Sequence, residues 1–133
     1  MGGGALAYAL ALEPFAERAV LIAGPASLSR VLMRYADMLA LPSRARARLI
    51  EIAGRRMGVA EHDLDLEFLP EPDALRVLVV HDEEDKDLPV AEARRIKERW
   101  PHSSLHLTRG LGHRRVLSDP DTVWRIVAFL REP

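Results

Sequence analysis

Two uncharged apolar runs, each cut off abruptly, restrict this chain more than any other feature. Ala19-Val20-Leu21-Ile22-Ala23 is stopped by Gly24-Pro25, and Val77-Leu78-Val79-Val80 runs through His81 into the acidic segment Asp82-Glu83-Glu84-Asp85-Lys86-Asp87. An apolar run without alternation reads as a strand buried on both faces, the situation of strands in a parallel sheet. Leu105-His106-Leu107-Thr108 alternates instead, as a strand at an edge does. Helical patterns fill the intervals. Ala5 to Glu13 is rich in alanine and leucine and ends at Pro14. Leu28, Val31, Leu32, Tyr35, Met38 and Leu39 keep helical spacing, with Ser27 as the expected N-cap. Leu49, Ile50, Ala53 and Met57 repeat the spacing after Pro42-Ser43, where Ser43 is the expected N-cap. Pro89 is expected in the first turn of a helix that turns Ala93, Ile96 and Trp100 inward. Ser118-Asp119-Pro120 opens a last helix with Val123, Ile126, Val127 and Leu130. Helices alternating with strands predict an α/β fold: a three-stranded parallel sheet with flanking helices, its strands paired in chain order.

Composition removes several classes of function. The 133 residues carry 19 basic and 20 acidic side chains, so no basic footprint exists for nucleic acid or an anionic membrane. There is no cysteine, which excludes disulfides and thiolate metal sites. The longest uncharged apolar run, Ala5 to Leu12, is too short to span a bilayer and has no basic leader before it. The expected location is the cytoplasm, by elimination. The Arg44, Arg48 and Arg55 face reads as solvated.

Chemistry concentrates in the second half. The acidic loop after the second strand contains Asp85, and Gly110-Leu111-Gly112-His113 follows the third strand, 28 residues further on. Loops leaving parallel strands at their C-terminal ends share one edge of the sheet. A carboxylate and an imidazole presented there can meet, the carboxylate fixing the ring tautomer and freeing the other nitrogen as a base. The acidic loop lacks the spacing and the glycine of a calcium loop, so no metal is expected, and His81 and His106 read as structural strand residues.

Strand, Asp-containing loop and Pro89, followed a helix and a strand later by Gly-x-Gly-His, resembles the C-terminal half of the α/β-hydrolase family. The resemblance implies that Asp85 is the acid and His113 the base of a serine triad, that 26–69 is a helical cap-like insertion, and that residues 1–133 form a single partial domain. It implies ester hydrolysis, a small ester substrate and no cofactor. The family's nucleophile lies in Gly-x-Ser-x-Gly, many members reading Gly-His-Ser-Met-Gly-Gly, whereas this chain opens Met1-Gly2-Gly3-Gly4. Met1 matches the residue after the serine. The expectation is a chain that starts one residue beyond its nucleophile and has little or no activity alone. Ser27 and Ser29 are the remaining serines expected near the same edge, with Ser27 better explained as a cap. Loss of the preceding strand would also expose the apolar Ala19–Ala23 edge, which predicts a homodimer through that edge or through the helical insertion. Two other functions compete: an active esterase completed by its own copy or by another chain, and a non-catalytic binding or assembly module.

Overall fold

The structure is a computed structural model that describes residues 2–13 and 15–132, with the Glu61 side chain left aside. Met1 and Pro14, which figure in the sequence reading, lie outside the described residues. Helix α1 (Gly2–Leu12) leads into strand β1 (Arg18–Ile22). Helices α2 (Leu28–Met38) and α3 (Ser43–Met57) and two short 3-10 turns (Glu61–Leu64, Leu66–Phe68) precede strand β2 (Arg76–Asp82). Helix α4 (Ala91–Arg99), strand β3 (Ser104–Thr108), the single turn α5 (Gly112–Arg115) and helix α6 (Pro120–Arg131) complete the chain. The strands are parallel and ordered β1-β2-β3, as their sequence implies.

β2 is the central strand, and its alternation builds the molecule. Val77 and Val79 face a core made with Ala7 and Leu10 of α1, Leu21 of β1, Ile96 of α4 and Trp100 just after that helix. Leu78 and Val80 face the other side, against Val116 and Phe129. With side chains alternating, His81 continues toward the first face and Asp82 toward the second. Each side chain of this strand fully buried adds about 1.5–3 kcal/mol of apolar burial. None of the described helices is long and apolar enough to cross a membrane.

Local details depart from the sequence reading in instructive ways. α1 takes in Gly2 to Gly4, because it crosses the end of β1 so closely that a Cβ on Gly3 would stand 2.9 Å from the Gly24 Cα. β1 ends at Ile22, one residue earlier than expected. Ala23 has φ 46° and turns the chain out of the sheet, a conformation costing a non-glycine residue about 1–2 kcal/mol. Ser43 is the first helical residue of α3, and the cap position falls on Pro42, which makes no side-chain bond. Pro89 precedes α4 and contributes its carbonyl, which accepts from the Glu92 amide at 2.9 Å. In α2 the buried residue is Ala36, while Met38 and Leu39 are 72% and 70% exposed. In α6 the inward positions are Thr122, Ile126 and Phe129, so Val123, Val127 and Leu130 stand mostly outside with Trp124. Both helices carry apolar side chains on more than one face, and spacing alone did not choose between them.

The segment between β1 and β2 is closed at its neck. Ser27 caps α2 by accepting from the Arg30 amide at 3.0 Å, and its hydroxyl donates to Asp65. The Leu66 amide donates to the Ala26 carbonyl at 2.8 Å. Glu92, buried on α4, accepts from the amides of Ala26 and Ser27 at 3.0 and 3.1 Å with Oε2, and its Oε1 accepts from Arg95 at 2.7 Å. A charged carboxylate makes these bonds about twice as strong as a neutral acceptor would, and its second oxygen accepts from Arg95 as well. Replacing Glu92 by Gln turns one acceptor into a donor facing those groups. The expected result is a loss of about 2 kcal/mol in chemical denaturation, with far-UV dichroism unchanged before the transition.

Candidate active site

The loops after β2 and β3 meet at the sheet's C-terminal edge. Asp85 is held there by the backbone of its own loop: Oδ1 accepts from the amides of Asp87 at 2.9 Å and Leu88 at 2.8 Å. Its other oxygen, Oδ2, lies 2.7 Å from His113 Nδ1. The Asp85 side chain is fully buried, and that of His113 is 34% exposed. A carboxylate oxygen can only accept in this contact, so it favours the imidazole with its proton on Nδ1. Among the described residues nothing hydrogen-bonds Nε2, which leaves that nitrogen as an acceptor. The sequence expectation for these two residues concerned their meeting, and the loops do bring them together.

Gly110 and Gly112 bracket the approach of His113, with φ of +79° and +67°. Only glycine enters that region without strain, so the two tight turns and the short α5 depend on them. The turn is anchored by a residue to which the sequence reading gave no role beyond membership of the acidic loop. Asp82 is fully buried, and its Oδ2 accepts from the Thr108 hydroxyl at 2.8 Å and the Leu111 amide at 3.0 Å. Its Oδ1 accepts from the Glu84 amide at 3.0 Å. Burial works against its charge, but the Gly112 amide, the Thr108 hydroxyl and the Leu111 and Glu84 amides outweigh it and hold the pKa at about 2. Asp82 thus ties the loop bearing Asp85 to the loop bearing His113. The signal was present: Asp82 ends an unbroken buried run, where a charge survives only with partners.

His81 supports the same site from the opposite sheet face. It is fully buried, with Nε2 2.9 Å from the Leu88 carbonyl and 3.4 Å from Asp85 Oδ2. It therefore braces the turn that carries Asp85. His106 stands apart from these groups, on β3. Desolvation and the Arg125 charge lower its pKa, against an opposing pull from Asp119.

The serines do not join the pair. Ser27 is fully buried, its hydroxyl committed to Asp65 and the cap of α2. The Ser29 amide donates to Asp65 at 3.2 Å, and the Ser103 hydroxyl to the Trp100 carbonyl at 2.6 Å. His113 opens onto a cavity of about 490 Å³ with apolar walls that include Pro25, Leu28, Val31, Met57, Leu64 and Leu88. Among the described residues lining it there is no serine, threonine or cysteine. Gly4, in the first turn of α1, lines it too, so the N-terminal end of α1 and His113 face the same space. Asp85, Asp87 and His113 could each direct one ligand atom to a common point, all within 4.8 Å of one another. Both Asp85 oxygens are already engaged by amides and His113, which accounts for the cluster without an ion.

A parallel sheet whose second and third strands deliver an aspartate and a glycine-framed histidine to one edge, beneath a helical segment, has the fold of part of an α/β hydrolase. The chain resembles the α/β hydrolase GrgF from Penicillium sp. sh18, with TM-score 0.64 and 15% identity over 97% of this chain and 60% of that one. It likewise resembles α/β hydrolase domain-containing protein 10 from mouse, with TM-score 0.62 and 18% identity over 96% of this chain and 56% of that one. An esterase from Pyrococcus furiosus matches with TM-score 0.59 and 17% identity, over 97% of this chain and 49% of that one. The chain thus spans about 60% of the length of the leading solved structures it resembles. No protein-family model and no curated protein matches it.

Proposed function

We propose that Asp85 and His113 are the acid and base of a carboxylic-ester hydrolase of the α/β-hydrolase type, and that 26–69 forms the cap over its substrate cavity. The observation that carries this reading is the 2.7 Å contact between His113 Nδ1 and a fully buried Asp85 carboxylate, at the mouth of an apolar cavity. His113 Nε2 takes the proton of a serine hydroxyl as the serine oxygen attacks the ester carbonyl carbon. The imidazolium, stabilised by Asp85, returns that proton to the departing alcohol. Water then attacks the acyl-serine with the same base. On this reading the nucleophile is a serine that the described residues do not supply, reaching the space that Gly4 and His113 share. The chain alone has little or no activity, since removing a nucleophile costs several orders of magnitude in rate.

An assay with p-nitrophenyl butyrate and a fluorophosphonate label tests this. The chain alone is expected to hydrolyse the ester no faster than free imidazole at equal concentration and to take up no label. Stoichiometric labelling of any of its serines would overturn the missing nucleophile and show that the chain carries its own.

A second reading, an esterase completed by its own copy, is favoured by one observation. β1 is an edge of the sheet, with Leu21 fully buried and Val20 and Ile22 half-buried. A two-fold dimer joining β1 to its copy would give a continuous six-stranded sheet and cover that edge. Light scattering at micromolar concentration should then report twice the 14.9 kDa chain mass, and a stable monomer would dismiss the dimer.

A further inference from the structure

The charges around the cavity are all of one sign apart from the histidine. Asp63 and Asp87 line it together with His113, and among the described residues no lysine or arginine does. Two tyrosines, Tyr8 of α1 and Tyr35 of α2, present aromatic surface to the same space. Tyr8 feels Asp63 directly: burial first, then the Asp63 charge, raises its phenol above the ordinary value. Asp87 brings a carboxylate oxygen within 4.8 Å of a His113 ring nitrogen, so negative charge stands beside the reacting end of the cavity as well as along its wall. The basic groups nearby lie outside the lining: Lys86 and Arg115 border an adjoining hollow that shares Asp87 and His113, and Arg115 donates there to the Leu111 and Gly110 carbonyls. His62 lies 3.0 Å from Asp63, but its side chain is 68% exposed and outside the cavity lining. Arg34 donates to the Lys86 carbonyl at 3.0 Å, on the outer side of the acidic loop.

We propose that this cavity selects apolar ligands ending in a positive charge over those ending in a carboxylate. An ammonium group on an apolar stem would find carboxylates and tyrosine faces in a space lined mostly by hydrocarbon, where the attraction is less screened than in water. A free carboxylate would meet like charge at either end, with no guanidinium to receive it. The inference deepens the proposed hydrolase reading by giving its substrate a charge class: esters whose acyl or alcohol part is neutral or carries an amine, and not those with a free acid group.

The test needs no catalysis. Hexylammonium, hexan-1-ol and hexanoate share one stem and differ in charge at pH 7. Each is titrated into the 15N-labelled chain while the amides of Tyr8, Val31, Tyr35 and Leu64 are followed by NMR. Hexylammonium should bind at least about tenfold more tightly than hexanoate, with hexanol between them. In the Asp63→Asn/Asp87→Asn variant the gap should shrink to about threefold or less. Hexanoate binding as tightly as hexylammonium, shifts confined to residues outside the cavity, or no shift with any probe would overturn the proposal. So would an unchanged gap in a folded double variant, and the unmodified chain decides the question if that variant does not fold. Because the probes hold no scissile bond, a wrong ranking removes charge selection alone. The hydrolase reading fails separately, if His113→Ala and Asp85→Asn leave ester turnover unaltered in a completed enzyme.

Discussion

His113→Ala should lower ester hydrolysis by at least about 1,000-fold in any preparation where a serine nucleophile completes the site. Asp85→Asn should lower it by about 100- to 10,000-fold, because an amide in place of the buried carboxylate removes the acceptor that keeps the proton on Nδ1. The double variant should be no worse than His113→Ala, since residues that act as one unit lose their effect once. On the proposed reading, both substitutions should change nothing in the p-nitrophenyl butyrate turnover of the chain alone. Turnover by the chain alone that either variant abolishes would show that the 133 residues carry a complete site. Rates unaltered by both variants in a completed enzyme would remove the pair from the mechanism. Capture of one partner without any hydrolysis would instead favour an assembly module.

The second large effect belongs to stability. Asp82→Ala leaves the Thr108 hydroxyl and the amides of Glu84, Leu111 and Gly112 without their common acceptor. Several of these groups are turned inward, so the expected loss in urea denaturation is about 3 kcal/mol or more. Asp82→Asn keeps the shape but presents an NH₂ group where an oxygen accepted two bonds, and should cost about 2 kcal/mol. The pH dependence gives an independent signature. The folded-state pKa of about 2 lies below the ordinary carboxylate value of 3.8. A depressed carboxylate contributes its stability above its unfolded value and loses it as pH falls through the folded one. Between about pH 4 and pH 2 the native chain should therefore lose about 2 kcal/mol more than Asp82→Asn does, measured as the difference between their urea midpoints across that window. Parallel curves for the two proteins would mean that Asp82 is not held as an anion.

Where the sequence reading succeeded and where it fell short has a physical pattern. The central strand was legible because Val77 to Val80 has no alternation, and only two covered faces accommodate that. The meeting of Asp85 and His113 was legible because parallel topology sends both loops to one edge, and because two glycines flanking Leu111 mark a backbone that turns sharply. The role of Glu92 and the distant partners of Asp82 were not. The roles of both residues are set by partners that lie far away in sequence: Glu92 binds amides 65 and 66 residues distant, and Asp82 an amide 29 residues away. Local pattern carries no trace of such pairings. The buried face of α6 was not legible, for a different reason. Val123, Val127 and Leu130 keep helical spacing as faithfully as Thr122, Ile126 and Phe129, and burial of Thr122 and Phe129 is a tertiary outcome. Thr122 can be buried because its hydroxyl and amide both bond Asp119, at 2.7 and 2.9 Å.

The most direct test of the central claim reads the imidazole itself. In 15N-histidine-labelled chain, long-range proton–nitrogen correlation spectra of neutral His113 should show Nδ1 protonated and Nε2 bare. In Asp85→Asn that preference should vanish into the ordinary mixture of tautomers. If His113 instead carries its proton on Nε2, or keeps its tautomer when Asp85 is replaced, the two residues do not form an acid–base pair.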